Sequence, residues 1–155
     1  MNSSHSASES SLIRVEVADS DELFNYVFFI RTQVFVEETS VDQEDEYDGF
    51  DHLSTHFLAW YGNNPAGAAR RRRLMSGAIK LERFAVLKEF RSKGIGAALV
   101  HAGLEGLPPG TKVLIHSLSS KVTYYQRFGF EPVGEEFEEA GMMHQEMVLT
   151  TPIEP

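Results

Sequence analysis

The chain has 155 residues, 42% of them hydrophobic, no cysteine, and a formal net charge of −9 at pH 7. That length suits one domain with a real core. The missing cysteines exclude a thiol nucleophile, a disulfide framework and a thiolate metal site. The acidic balance argues against a nucleic-acid partner, and no apolar run reaches the roughly 20 residues that cross a bilayer. Met1–Ser10 is polar and serine-rich, without the apolar core of a secretory signal. It is expected to be a flexible tail over residues 1–10, ahead of a single domain over 11–155, with the cytosol as the default compartment.

Leu12–Val17 alternates, with Ile13, Val15 and Val17 on one side, and predicts a strand. Asp19 or Ser20 caps a helix in which Leu23, Val27, Ile30, Val34 and Phe35 recur at helical spacing to about Glu37. Glu38–Asp51 has no period and reads as a loop. Thr55–Tyr61 is a strand closed by a turn over residues 62–65. Ala66–Leu74 and Ala78–Val86 form a hairpin about Ser76-Gly77. Gly94–Glu105 is a helix with Ile95, Ala98, Leu99 and Ala102 facing inward. Lys112–His116 is a short buried strand. Ser119–Phe128 is a helix capped by Ser119 or Ser120 and ended by Gly129. Phe130–Val133 and His144–Thr150 are the last strands, antiparallel to each other. The order β-α-β-β-β-α-β-α-β-β gives an α/β sheet of mixed direction.

Charge is unevenly spread. No Lys or Arg lies between Arg31 and Arg70, while Glu38–Asp51 alone holds seven carboxylates. Basic residues then gather at Arg70–Arg73 and at Lys88, Arg91 and Lys93. On a strand, Arg70–Arg73 alternates between faces, so two of the four are expected at the acceptor side and two in solvent. The acidic interval is either a solvated face or a rim that attracts cationic amines. His52 and His56 with Asp48 and Asp51 invite a metal reading. Their four-residue spacing does not fall on a helix, and no metal is expected.

The segment Arg91-Ser92-Lys93-Gly94-Ile95-Gly96 joins a strand to a helix. Free backbone N–H groups and the helix dipole make such a junction an anion site. Two glycines remove side chains that would block phosphate oxygens. Read alone, the pattern also fits a surface turn. A Rossmann site needs a third glycine where Leu99 stands, and a P-loop needs a Gly-Lys-Ser/Thr that does not follow.

This segment resembles the R/Q-x-x-G-x-G/A signature of the GNAT superfamily of N-acetyltransferases. Leu81–Val86 is similar to that family's fourth strand. Tyr125-Gln126-Arg127-Phe128-Gly129-Phe130 resembles its second signature, Y-x-x-x-G-F. Residues 34–38, Asp48 to Asp51, His56, and Glu138–Gly141 with His144 resemble the ElaA/YjcF-like branch. Leu118 departs from it, standing where relatives often carry a polar residue.

The resemblance implies a GNAT-like fold. Its sheet is mixed and mostly antiparallel, with a splayed parallel pair at the centre and flanking helices. It implies acetyl-coenzyme A as cosubstrate, with the pantetheine arm against backbone of Phe84, Ala85 and Val86. The pyrophosphate falls to Arg91, Ser92, Lys93, Gly94, Ile95, Gly96 and Ala97. A bulge in the fourth strand would aim an N–H at the thioester oxygen. Tyr125 matches the family's general acid; its alternative is a packed aromatic beside Tyr124. Glu82 is the candidate base, with a solvent-facing strand position as its alternative and His116 and His144 as reserves.

The function that follows is direct transfer of an acetyl group to the primary amine of a small molecule, with a cationic amine expected from the acidic interval. Neither nucleic acid nor a membrane is expected as partner, and a homodimer is compatible with the reading. The rival is a silent acyl-coenzyme A-binding sensor or interaction domain.

Overall fold

The computed structural model describes residues 12–39 and 46–153. The expected tail over residues 1–10 lies outside the described residues, as do Asp42, Glu44 and Asp45 of the acidic interval. The elements are β1 (Ile13–Val17), α1 (Asp21–Arg31), β2 (Thr55–Tyr61), β3 (Asn64–Arg73), β4 (Ile79–Val86), α2 (Ile95–Leu104), β5 (Lys112–Leu118), α3 (Val122–Gln126), β6 (Glu131–Glu139) and β7 (Met142–Thr150). They form the expected order, with one seven-stranded sheet, β1-β2-β3-β4-β5-β7-β6. Among the described residues, no helix is long and apolar enough to cross a membrane.

Two compact units divide the chain: Met1–Arg70 with Arg83–Gly103, and Arg71–Glu82 with Leu104–Pro155. The chain passes between them inside β3, inside β4 and near the end of α2.

In the first unit β1 pairs antiparallel with β2, from Ile13↔Tyr61 to Val17↔Phe57. Successive β2 side chains face opposite ways. Leu58 therefore joins Val27, Ile30 and Val34 of the first helical segment, while Phe57 and Ala59 join Ile95 and Leu99 of α2. Helix α1 starts where the sequence predicts. Ser20 is the cap, and its hydroxyl accepts from the Leu23 N–H at 3.2 Å. The helix does not stay α to its end, because Thr32–Glu38 is a π-helical turn. The wider turn lets consecutive Val34 and Phe35 both pack against the core.

The small residues of β3 have a cause that periodicity does not show. A Cβ on Gly67 would lie 2.9 Å from Ile95 Cγ2, 3.1 Å from the Ala85 oxygen and 3.2 Å from Leu99 Cδ1. Helix α2 thus rests directly on the β3 backbone, which fixes the start of the helix beside the end of β4. Ile95 and Leu99 are buried as expected, and Val100 and Gly103 join them. Ala98 and Ala102 are only half-buried.

In the second unit the hairpin about Ser76-Gly77 closes with Leu74 N–H to Ala78 O at 2.8 Å. β4 and β5 are parallel, with Ile79↔Val113 and Lys80↔Leu114 as ladder pairs. β5 continues to Leu118, two residues beyond the expected end, paired with β7 throughout. β6 and β7 form an antiparallel hairpin with an irregularity between Val133 and Phe137. Its turn is Ala140-Gly141, both left-handed at φ 53° and 78°, the conformation that two-residue hairpin loops favour. The helix expected over Ser119–Phe128 is corrected. A 3-10 turn, Ser119–Lys121, leads into the short α3, and neither serine caps it. Beyond Gln126 the N–H groups of Arg127, Phe128 and Gly129 bond three residues back, so the chain leaves the α-helix early and turns at Gly129, φ 101°.

Candidate active site

Two left-handed residues shape the loop between β4 and α2: Ser92 at φ 65° and Gly94 at φ 96°. Alternation of right- and left-handed residues turns consecutive N–H groups into one concavity that suits an anion. The first N–H groups of α2 have no acceptor within the helix, and its dipole adds positive potential. A Cβ on Gly94 would meet only Ile13 Cδ1, at 3.7 Å. Glycine is therefore required there by the backbone angle, not by crowding. Arg91, Ser92 and Gly94 are exposed. The loop has the shape, the donors and the access that a pyrophosphate needs.

Arg91 contributes differently from expectation. Its Nε donates to the Val86 oxygen at 2.9 Å, and both terminal nitrogens reach the Glu38 carboxylate at 2.7 Å. The Glu38 hydrogen bond raises the Arg91 pKa, and the Arg91 hydrogen bond lowers that of Glu38. The guanidinium therefore ties the loop to the end of the π turn, and Glu38 neutralises it. Lys93 sits over the Tyr61 ring, 5.3 Å from its centroid.

Strand β4 is kinked. Arg83 has φ 56° between Glu82 and Phe84. For a residue with a Cβ this conformation costs roughly 1–2 kcal/mol, and it breaks the alternation of an extended strand. The kink immediately precedes Phe84, Ala85 and Val86, the residues expected to face the pantetheine arm. Ala85 is buried, while Phe84 and Val86 are half-buried.

The same unit holds a charge network that sequence reasoning did not assemble. Arg31, at the end of α1, binds Glu46 Oε2 at 2.5 Å and Asp51 Oδ1 at 2.7 Å. Arg70, on β3, binds Asp48 Oδ2 at 2.8 Å and Asp51 Oδ1 at 2.9 Å. Arg83 binds Glu46 Oε1 at 2.9 Å and Asp48 Oδ2 at 3.2 Å. Among the described residues, three arginines thus face three carboxylates. Arg31, Arg70 and Glu46 are buried.

Burial opposes ionisation of Asp48, yet hydrogen bonds from Arg70 and the Phe50 N–H, with the Arg70 and Arg83 charges, hold it well below the usual carboxylate range. Asp51 is likewise lowered, by Arg31 and Arg70 against burial. His56 Nε2 donates to the Asp51 backbone oxygen, 2.8 Å away, and burial lowers its pKa. Glu38, Glu46, Asp48 and Asp51 are all ion-paired, so the described part of the acidic interval is not an open cation-attracting rim. The one sequence signal was indirect: a stretch with no base, bracketed by Arg31 and Arg70.

In the second unit Glu82 is buried, with Arg72 Nε at 2.9 Å and Lys80 Nζ at 3.4 Å from its carboxylate. Tyr125 lies on α3, half-buried, edge-on to Tyr124 at 5.1 Å and to Phe130 at 6.4 Å. Burial, with a smaller effect of Tyr124, pushes its phenol up to about 12. The Arg70–Arg73 run separates by function. Arg70 enters the buried network, Arg72 serves Glu82, Arg71 donates to the Glu105 oxygen at 3.2 Å, and Arg73 is exposed. His116 lies between Glu139 at 3.2 Å and Glu146 at 3.3 Å.

Residues 18–151 match the family model described as an acetyltransferase (GNAT) domain. The chain belongs to the GNAT acetyltransferase family. It is 33% identical over 141 residues to the uncharacterized N-acetyltransferase YjcF of Bacillus subtilis, covering 88% of this chain and 99% of that protein. The crystal structure of Escherichia coli ElaA superposes with a TM-score of 0.78 at 26% identity, covering 88% of this chain and 99% of that one. These two similarities place the chain in the ElaA/YjcF-like branch of the family. A Bacillus subtilis acetyltransferase crystallised with coenzyme A shares the fold, with a TM-score of 0.61 at 19% identity over 89% of this chain and 98% of that one. As a GNAT protein the chain is an acyltransferase with acetyl-coenzyme A as cosubstrate.

Proposed function

We propose that this GNAT protein moves the acetyl group of acetyl-coenzyme A directly to the primary amine of a small molecule, as a cytosolic enzyme. The family match runs across both units, which supports reading residues 11–155 as one catalytic domain. The observation that carries the proposal is the succession within one unit of a kinked strand, a loop with left-handed Ser92 and Gly94, and the start of α2. Phe84, Ala85 and Val86 offer backbone groups to the pantetheine arm. The N–H groups around Ser92–Ala97 hold the pyrophosphate, and Lys93 adds charge.

In the reaction the amine nitrogen attacks the thioester carbon and the carbonyl oxygen becomes negative. Backbone donors at the β4 kink stabilise that charge. The C–S bond then breaks, and its electron pair leaves on sulfur as the thiolate. Tyr125 O–H donates to that thiolate. A phenol at about 12 is fully protonated at neutral pH, so the donor is always loaded. An ordinary thiol has a pKa of about 8.5, so complete transfer from such a phenol is uphill. Tyr125 therefore acts chiefly as a hydrogen-bond donor to the departing sulfur, with solvent completing the protonation. The amine proton passes to Glu82, directly or through water. Arg72 and Lys80 pair with that carboxylate and orient it.

Incubation with acetyl-coenzyme A and a panel of polyamines, aminosugars, amino acids and peptides tests the proposal. Acetylated amine in the mass spectrum, matched by free thiol, is the expected result. Coenzyme A bound with no amine acetylated would leave a binding module in its place.

A further inference from the structure

Arg83 is the residue that neither the loop nor the expected acid and base accounts for. It is left-handed in the middle of a strand, where an extended backbone is the rule and glycine the usual exception. A conformation of this kind persists only when its surroundings over-determine it. Here the surroundings are visible. The guanidinium is forked between two carboxylates, Glu46 at 2.9 Å and Asp48 at 3.2 Å. Each carboxylate is fixed in turn by a buried arginine. Arg31 holds Glu46 through its side chain at 2.5 Å and its backbone oxygen at 3.1 Å. Arg70 holds both oxygens of Asp48, at 3.0 and 2.8 Å. The side chains of Arg31 and Arg70 are 1% and 0% exposed, whereas that of Arg83 is 20% exposed. Two rigid anchors, one on α1 and one on β3, therefore converge through two carboxylates on the single kinked residue of β4.

We propose that Arg83 is a positioning residue for acetyl transfer: clamped by Glu46 and Asp48, it locks the β4 kink whose backbone donors meet the thioester carbonyl. This rests on the reading of β4 as the strand that meets the thioester. Glycine at this position would adopt the angle without penalty and without partners to hold it. Arginine adds the clamp, and the acidic interval supplies its other half. The carboxylates of Glu46 and Asp48 thus act on the reaction through the shape of the strand. They do not draw the acceptor by charge.

The test uses the full chain and acetyl-coenzyme A labelled with carbon-13 at the carbonyl. The infrared stretch of the bound thioester reports hydrogen bonding to its oxygen. In the wild type the stretch should move to lower frequency on binding. Arg83→Met keeps the stem and the Cβ but removes both ion pairs. It should bind unacetylated coenzyme A within about twofold of wild type, lose most of the carbonyl shift, and lower kcat about tenfold or more with little change in KM. Arg83→Gly removes the ion pairs but also the steric penalty, and should keep most of the shift. It also serves where the methionine variant fails to fold.

A role in merely stapling the 46–51 segment predicts lower melting temperatures with an unchanged carbonyl shift. That result, or a glycine variant as impaired as the methionine one, would overturn the proposal. A wild-type protein that binds acetyl-coenzyme A with no shift at all would remove the reading of β4 on which it stands. A wild type that fails to bind would remove the cosubstrate assignment itself.

Discussion

The loop Arg91–Gly96 and the network around Glu46, Asp48 and Asp51 both handle charge, but by opposite means. The loop works with backbone N–H groups, lies at the surface, and is built from consecutive residues. The network works with side chains, is largely buried, and draws on α1, the 46–51 segment, β3 and β4. A backbone site depends on a few φ values and fails when one of them becomes costly. A buried side-chain network depends on complete pairing and fails when one partner leaves a charge behind. Damage to the first should therefore appear in ligand binding, and damage to the second in stability.

The largest expected effect is on the network. Arg70→Met removes the guanidinium shared by Asp48 and Asp51, and should cost about 3 kcal/mol or more in urea denaturation. A variant as stable as wild type would mean that the network does not hold its unit together. Tyr125→Phe belongs to neither region and should move neither stability nor coenzyme A affinity. It should lower kcat by roughly 10²-fold. Because burial places the phenol at about 12, no alkaline limb assignable to it should appear below about pH 11. An alkaline limb near pH 9 that vanishes in the phenylalanine variant would show the phenol to be far more acidic.

Gly94→Ala should weaken coenzyme A about tenfold, or roughly 1.4 kcal/mol, since φ 96° disfavours any Cβ. Gly94→Asn should be milder, because asparagine tolerates the left-handed region. Calorimetric titration of both variants distinguishes a cost of backbone angle from one of crowding; equal losses would point to crowding. The acid response sharpens the network side. Asp48 and Asp51 have folded pKa values below their unfolded ones, near 3.9. Their stabilisation is complete above about pH 4 and is lost as pH falls towards the folded values. The melting temperature should drop below about pH 4, and Asp48→Asn should flatten that drop. The smallest effect is expected from Glu38→Gln. Releasing Arg91 from an exposed pair should tighten coenzyme A binding by less than about fivefold, most visibly at low salt.

The same contrast explains what could be read from the sequence. The element order and the glycine loop were legible because periodicity, turn residues and the R-x-x-G-x-G pattern are local. The parallel pair of β4 and β5 followed from resemblance, since pairing partners leave no mark on either strand. The network was illegible for that same reason. Arg31 reads as a helix-end cation, Arg70 as one of a run of four, and Arg83 as an ordinary strand residue; only folding brings them to the acidic segment. The kink at Arg83 had no signal, because arginine carries no preference for the left-handed region. The helix at Ser119–Phe128 was overextended because its serines look like caps, while the Ser119 hydroxyl is in fact buried without a partner among the described residues. The small residues of β3 read as a weak strand until Gly67 is seen beneath Ile95.

The proposed function depends most on coenzyme A being held by the backbone of the loop at the start of α2. Thermal unfolding with and without coenzyme A, in wild type and in Gly96→Asp, tests that directly. A ligand that binds only the folded state at a hundredfold excess over Kd stabilises it by about 2.7 kcal/mol. The wild-type melting temperature should therefore rise clearly. The aspartate variant, with a carboxylate set against the pyrophosphate, should fold and show little rise. An unmoved wild-type curve at saturating coenzyme A, or an equal rise in both proteins, would contradict the account.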